Sequence, residues 1–195
     1  MRVLVACEYS GRVRDAFIRA GHEAVSCDLL PTDSPGPHYH GDVRNVINDG
    51  WDLMIAHPPC THLAVSGARW FHLKQQEQKD ALDFVRLLLA AKIPKIALEN
   101  PISIISSEIK KPTQIIQPWM FGHWETKATC LWLKNLPPLV PTFKTMDEYR
   151  TAHKLASNSK PAANILKMPP SKDRRKKRSI TYTGIAEAFA LQWGI

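Results

Sequence analysis

Four short apolar runs, each breaking off into polar or reactive residues, constrain the fold of this chain more than any other feature. RVLVAC, at residues 2–7, is rich in β-branched side chains and reads as a buried strand. GRVRDAFIRAG follows, with Val13, Ala16, Phe17 and Ala20 at helical spacing and Gly21 as a stop. HEAVSCDLL then reads as a second strand ending near Asp28. Strand, helix, strand in that order predicts a parallel sheet of the α/β class. WDLMIAH is a further buried strand that runs straight into Pro58, Pro59 and Cys60. KQQEQKDALDFVRLLLAAK is the best helix in the chain, with Ala81, Phe84, Val85, Leu88 and Leu89 on one face. KIALENP is the fourth run, cut off by Pro101.

Between these elements, PTDSPGPHYHGD is expected to be a loop by its Pro, Gly, Ser and Asp content. Beyond Pro112 the pattern changes, and TQIIQPWMFG and KATCLWLKNL read as strands flanking a turn. Residues 137–177 show no clear periodicity and are expected to form a long, partly mobile excursion. SITYTGIAEAFALQWG closes the sequence as a helix, with Thr183 as its N-cap and Ile185, Ala188, Phe189 and Trp193 inward. The 195 residues are enough for one domain with a real core.

No stretch approaches the ~20 apolar residues needed to span a bilayer, and MRVLVACEYSG is too short an apolar run for a signal peptide. The expectation is a soluble, cytoplasmic protein without membrane partners. Cys7, Cys27, Cys60 and Cys130 form no C-x-x-C pair, so neither a zinc ribbon nor a thioredoxin-like motif is supported. The formal net charge of +8 favours a polyanionic partner. KDRRKKR, residues 172–178, carries six positive charges and one negative, and is either a solvated loop or a phosphate-contacting segment. Trp119, Trp124 and Trp132 read as core residues that are alternatively base-stacking platforms.

Open α/β sheets bind ligands outside the carboxyl ends of their strands. CEYSG, Asp28, Pro58-Pro59-Cys60 and Glu99-Asn100-Pro101 all fall at such ends. An acidic residue after the second strand suits the ribose hydroxyls of a nucleotide-like cofactor, and Asp28 is either that group or a surface carboxylate. Gly11 lets backbone approach a ligand closely. Cys60 and Glu99 form a specific chemical pair. A thiolate adds to an electron-poor ring carbon, and a neighbouring carboxyl group that protonates a ring nitrogen drains charge from that carbon. Pro58 and Pro59 each hold φ near ~−65°, stiffening the turn that presents the sulfur.

These motifs resemble those of the DNA cytosine carbon-5 methyltransferases, in a short phage-type form. HPPCTHLAVSG is similar to the family's Pro-Pro-Cys motif, with Gly67 seven residues after the cysteine, and LENP is similar to its Glu-Asn motif. ACEYSGRVRDAF stands where the family has its acidic-aromatic loop for S-adenosylmethionine. The resemblance implies a Rossmann-like, S-adenosylmethionine-dependent methyltransferase fold with a mainly parallel central sheet. It implies methylation of cytosine carbon-5 in DNA through a covalent Cys60 adduct, with Glu99 as acid and no metal. It places Glu8, Tyr9, Ser10, Gly11, Asp28, Asp42, Val43 and Pro58 at the cofactor. It places Pro59 and Asn100 at the substrate, with Lys127 as the cation nearest to the family's arginine-bearing segment and Arg174 and Arg175 on DNA phosphates. The family's large target-recognition domain has no counterpart, and Thr61 stands where the family usually has glutamine. The expected organisation is a catalytic and cofactor-binding core over 1–136, a short basic recognition segment over 137–178 and a C-terminal helix returning to the core over 179–195.

Other readings remain open on the residues alone. Carbon-5 methylation of a free pyrimidine nucleotide or of RNA uses the same pair. A nucleic-acid-binding protein with the fold but no catalysis does not need both Cys60 and Glu99. A metal site from His57, Cys60 and His62 has a spacing that matches no standard zinc pattern.

Overall fold

A computed structural model describes residues Met1–Ile195. The strands are β1 (Arg2–Ala6), β2 (Glu23–Asp28), β3 (His38–His40), β4 (Leu53–Ala56), β5 (Lys95–Pro101), β6 (Gln114–Ile116) and β7 (Thr129–Lys134). They form one sheet in the order β3-β2-β1-β4-β5-β7-β6. Five strands, β3 through β5 in that order, pair in parallel, whereas β7 runs antiparallel to both β5 and β6. This is the α/β architecture with a mainly parallel central sheet expected above.

The strands pair in parallel because both faces of the sheet are covered, and a strand buried on both faces reads as a continuous apolar run. Val3, Val5, Leu53, Ile55, Ala97 and Leu131 face one side, against α1 (Arg12–Arg19) and α7 (Thr183–Trp193). Leu4, Ala6, Met54, Ala56, Ile96 and Leu98 face the other, against α2 (Gln75–Leu89) and α3 (Ile105–Glu108). Gly184 lies at the start of α7 directly on the Phe121 carbonyl, where a Cβ would collide with backbone. Its N–H donates to His123 Nε2 at 2.9 Å, so the close approach also satisfies a helix-terminal donor.

Several local expectations are corrected. The segment expected to be a loop contains β3, whose residues pair with Ser26, Cys27 and Asp28 of β2. Its backbone gains ladder partners that its loop-like composition does not advertise. Thr183 is the first helical residue of α7, not its cap; Tyr182 takes the cap position, and Thr183 Oγ1 accepts from Arg12 at 2.9 Å. Ala20 is exposed beyond the end of α1, and on α2 the deepest residues are Leu82, Val85 and Leu88. TQIIQPWMFG yields only the short β6 before a 3-10 turn at Pro118–Phe121.

The aperiodic stretch carries three short helices, α4 (Met146–Ala152), α5 (Asn164–Lys167) and α6 (Arg174–Ser179). α4 is started by a capping box between Thr145 and Glu148. It is fastened by stacking: Tyr149 lies on Trp124 at 4.7 Å and on His153 at 4.0 Å between ring centroids. Trp119 and Trp132 are buried.

One buried charge shapes the loops at the ends of β1 and β2. Arg14 of α1 is fully buried. Its guanidinium bonds Asp15, Ser26 and Thr32 and the carbonyls of Ser34 and Pro35, so one side chain ties α1 to β2 and to the turn before β3. Removing such a group strands its acceptors without water. Arg14→Ala is therefore expected to lower unfolding free energy by about 3–5 kcal/mol in urea titration; a loss below about 1 kcal/mol means the loop does not depend on it.

Candidate active site

The parallel register of β4 and β5 builds the site. Ala56 pairs with Leu98, so the next residues along, His57 and Glu99, are level neighbours where the two strands end. His57 N–H still donates to the Ala6 carbonyl at 2.9 Å, which extends β4 by one bond before the prolines. Pro58 is buried, and Pro59 and Cys60 are exposed on the turn beyond it. Asn100 Nδ2 donates to the Pro58 carbonyl at 2.8 Å, and Leu63 accepts from Ile104 while Val65 donates to Ile102. The cysteine turn is thus laced to the segment that follows Glu99.

Glu99 is nearly enclosed, and its Oε2 lies 2.9 Å from His57 Nδ1. Burial pushes the Glu99 carboxyl up, but the His57 hydrogen bond and the charges of Lys127 and His57 outweigh it, holding it below the usual carboxylate range. Partial burial, and then the Glu99 carboxylate, push the Cys60 thiol up, while Lys127 and Arg178 pull it down. The sulfur is a protonated thiol at neutral pH, and both cations act to ease its ionisation. Lys127 Nζ also donates to the Arg178 carbonyl at 3.0 Å, which seats the end of α6 beside the cysteine.

A cavity of about 260 Å³ opens at the ends of β1 and β2, lined among others by Asp28, Leu29, Asp42, Val43, Pro59 and Phe84. Burial raises the Asp28 carboxyl, against backbone donors from Leu30 and Leu29 and the rings of His38 and His40. Asp42 is lowered, chiefly by the Arg44 backbone N–H. Two carboxylates beside Val43, Leu29 and Phe84 give this cavity acceptors for hydroxyl donors next to an apolar wall. Cys7, also lining the cavity, holds a left-handed φ of 59°, a conformation rare outside glycine.

The structure therefore gathers Cys60, Glu99 and Lys127 in one cluster and Asp28, Asp42 and Val43 around one cavity, where Pro59, expected at the substrate, stands in the wall and Pro58, expected at the cofactor, is buried away from it. Other expected site residues are directed elsewhere. Glu8 is buried, with Oε1 accepting from the Val13 N–H and Oε2 from the Arg14 N–H; it caps α1 instead of facing the cavity. Ser10 donates to that same carboxylate, and Gly11, at φ 72°, makes the turn into α1. Tyr9 is buried beneath α6, its hydroxyl donating to the Lys176 carbonyl. Asn100 is buried behind the cysteine turn, and Arg174 is half-buried while Arg175 is exposed.

Two residues that the family resemblance did not place at the site, His57 and Arg178, stand in the cluster. The register arithmetic, with His57 directly after the β4 run and Glu99 at the matching place in β5, is the signal that finds the first. No group of three or more His, Cys, Asp or Glu side chains is arranged to hold a metal ion. No helix is long and apolar enough to cross a membrane.

The electrostatics give a direct test. Iodoacetamide labelling of Cys60, followed by peptide mass spectrometry, is expected to rise with pH with a midpoint above the ordinary thiol value of 9.0. Lys127→Ala removes a favourable charge and is expected to move the midpoint higher. A midpoint below 9.0, or one unmoved by Lys127→Ala, contradicts this account of the thiol.

No family model and no curated protein sequence matches the chain. Among solved structures it is similar to one described as a candidate DNA modification methyltransferase encoded within an E. coli prophage, at 13% sequence identity and a TM-score of 0.44. The likeness covers 68% of this chain and 46% of that one, so the chain spans less than half the length of that structure.

Proposed function

We propose that this chain is an S-adenosylmethionine-dependent methyltransferase that methylates carbon-5 of cytosine in DNA. The observation that carries the reading is the juxtaposition of the Cys60 turn with the enclosed Glu99 carboxylate, tied by the Asn100–Pro58 bond, beside a cavity bearing Asp28 and Asp42. A thiol and a carboxyl held at adjacent strand ends are what addition to a pyrimidine ring requires.

Each residue then has a role. The target base leaves its helix, or comes from a single strand, to stack over the Cys60 turn. The Cys60 thiol loses its proton to solvent, eased by Lys127 and Arg178, and the thiolate adds to carbon-6. Glu99 enters ionised and accepts from the exocyclic amine; as the sulfur adds, it takes up one proton from solvent and hands that proton to ring nitrogen-3. S-adenosylmethionine, held at its nucleoside end by Asp28, Asp42 and Val43, supplies the methyl group when bound. Loss of the carbon-5 proton then expels Cys60 as thiolate and returns the nitrogen-3 proton. Glu8, Gly11 and Asn100 shape the site from behind.

The basic segment supports a polymeric substrate. Lys172, Arg175, Lys176 and Lys177 are exposed on or beside α6, whose far end reaches the Cys60 cluster through the Lys127–Arg178 contact. Phosphate contacts of this kind position a duplex without reading its sequence, which fits a chain with only a short recognition segment.

Transfer of labelled methyl from S-adenosylmethionine, with DNA, RNA and dCMP offered separately, decides the substrate. Label is expected on DNA at cytosine carbon-5, with wild-type enzyme trapped covalently on 5-fluorocytosine DNA and Cys60→Ser giving no adduct. Label on dCMP or RNA alone overturns the DNA assignment, and an adduct persisting in Cys60→Ser removes the cysteine from its role. Exchanging Lys172, Arg175 and Lys177 for Gln is expected to weaken binding equally across DNA sequences. It should flatten the slope of log K against log salt by about 0.9 for each phosphate no longer neutralised; an unchanged slope places the DNA elsewhere.

A further inference from the structure

His57 is the one member of the cluster that the proposed reaction leaves without a task. It is nearly closed from solvent, with its side chain 8% exposed. Its Nδ1 lies 2.9 Å from Glu99 Oε2, and a carboxylate offers only acceptors, so Nδ1 carries the hydrogen. Its Nε2 is enclosed with no partner at all. Glu99 Oε2 is spent on this contact, and Oε1 receives no hydrogen bond from the protein.

A purely structural role accounts poorly for this arrangement. Buried polar pairs contribute little net stability, and apolar residues of the same volume commonly replace them at no cost. An imidazole kept for the fold also satisfies both nitrogens as a rule. Here one nitrogen is left bare and the other is committed to the one carboxylate that faces the cysteine turn. The strand register holds the contact in place: the pair follows directly from Ala56 opposite Leu98, and His57 is anchored by its own N–H on Ala6. Rotation of the Glu99 carboxyl about its last torsion, which is otherwise soft, is opposed by a donor whose backbone is fixed in the sheet.

We propose that His57 is a positioning residue for Glu99: its Nδ1–H fixes Oε2 and so presents Oε1, in a single orientation, to the ring of a base held over Cys60. The inference rests on the cytosine reading above, because it needs Glu99 to meet a ring nitrogen and an amine. The titratable groups that face the carboxylate and favour its ionised form are His57, directly after β4, and Lys127, from the segment before β7. Only His57 bonds it. Lys127 donates instead to the Arg178 carbonyl, so it supplies field without orientation.

Asparagine can place its Nδ2–H where His57 has Nδ1–H, so it preserves the bond without an imidazole, while leucine fills the space with no donor. In the methyl-transfer assay, His57→Leu is expected to lower kcat about 10- to 100-fold, with KM for DNA and for S-adenosylmethionine unchanged. His57→Asn is expected to recover most of that loss. Thermal melting of both variants checks that each is folded. A folded His57→Leu with wild-type kcat overturns the proposal, and so does a folded His57→Asn no faster than His57→Leu. NMR of the wild-type protein keeps the two readings apart. A downfield imidazole Nδ1–H resonance that Glu99→Leu, which lacks any acceptor, removes is expected whatever the substrate, and its absence overturns the His57 contact. A wild-type protein that shows this resonance yet transfers no methyl to any substrate overturns the cytosine reading, and with it the catalytic role given to His57, while the His57–Glu99 contact stands.

Discussion

The site depends on one alignment, the parallel pairing of β4 with β5 in the register Ala56 to Leu98. A one-residue slip in a sheet sends every side chain to the opposite face. Here a slip would turn Glu99 away from His57 and put Asn100 out of reach of the Pro58 carbonyl. The apolar cores on the two faces guard against that slip, because Ile55 and Ala97 belong to one and Met54, Ala56, Ile96 and Leu98 to the other. The chemistry is therefore placed by packing that lies wholly outside it, and the prolines only stiffen the last step from strand to sulfur.

A second dependence runs across the top of the sheet. The basic α6 is fastened to both halves of the site. Lys176 bonds Asp33 and its carbonyl accepts from Tyr9, on the cofactor side, while the Arg178 carbonyl accepts from Lys127 beside Cys60. The segment whose charge suits phosphate is thus the segment that covers the first strand-end loop. Lys176 spends part of its charge on Asp33, whose hydrogen bond raises it, so Lys172, Arg175 and Lys177 are the freer contacts for a polyanion. Part of the run is built into the wall of the site, and part is left for solvent.

The sheet was legible because its central strands are buried on both faces, and burial of that kind writes itself into sequence as unbroken apolar runs. Cys60 and Glu99 were legible for a related reason: reactive residues directly after such runs have few places to be except the strand ends. β3 was not, since HYH carries no alternation and exists by pairing with β2. Nor was the order in residues 137–177, which comes from Tyr149 stacking between Trp124 and His153, a contact between segments whose spacing follows no local period. The Thr145–Glu148 capping box was the one local sign of a helix there. Glu8 misled in a more instructive way. An acidic residue after the first strand suits a cofactor and also suits the N-terminus of the next helix, where the unpaired N–H groups and the dipole favour an anion. With Gly11 lacking a side chain to cap α1, the helix claims the carboxylate first.

The same competition explains the cluster around Cys60. A carboxyl closed off beside a thiol tends to go neutral, and a thiol beside a carboxylate tends to stay protonated; each resists the state the other needs. The fold resolves this by giving the carboxylate a side-chain hydrogen-bond donor that the thiol lacks, while the Lys127 charge favours the ionised form of both. His57 bonds Glu99 and Lys127 adds its field, so the carboxyl stays ionised and the penalty falls on Cys60, whose thiol remains the weaker acid. The resting site then holds a fixed anion and a quiet thiol. In the proposed reaction the sulfur becomes a nucleophile once something offsets the Glu99 charge, and a pyrimidine amine donating to Glu99 would do so as the ring comes within reach. Exposed as Cys60 is, that coupling would tie its ionisation to the arrival of a base with the right donor.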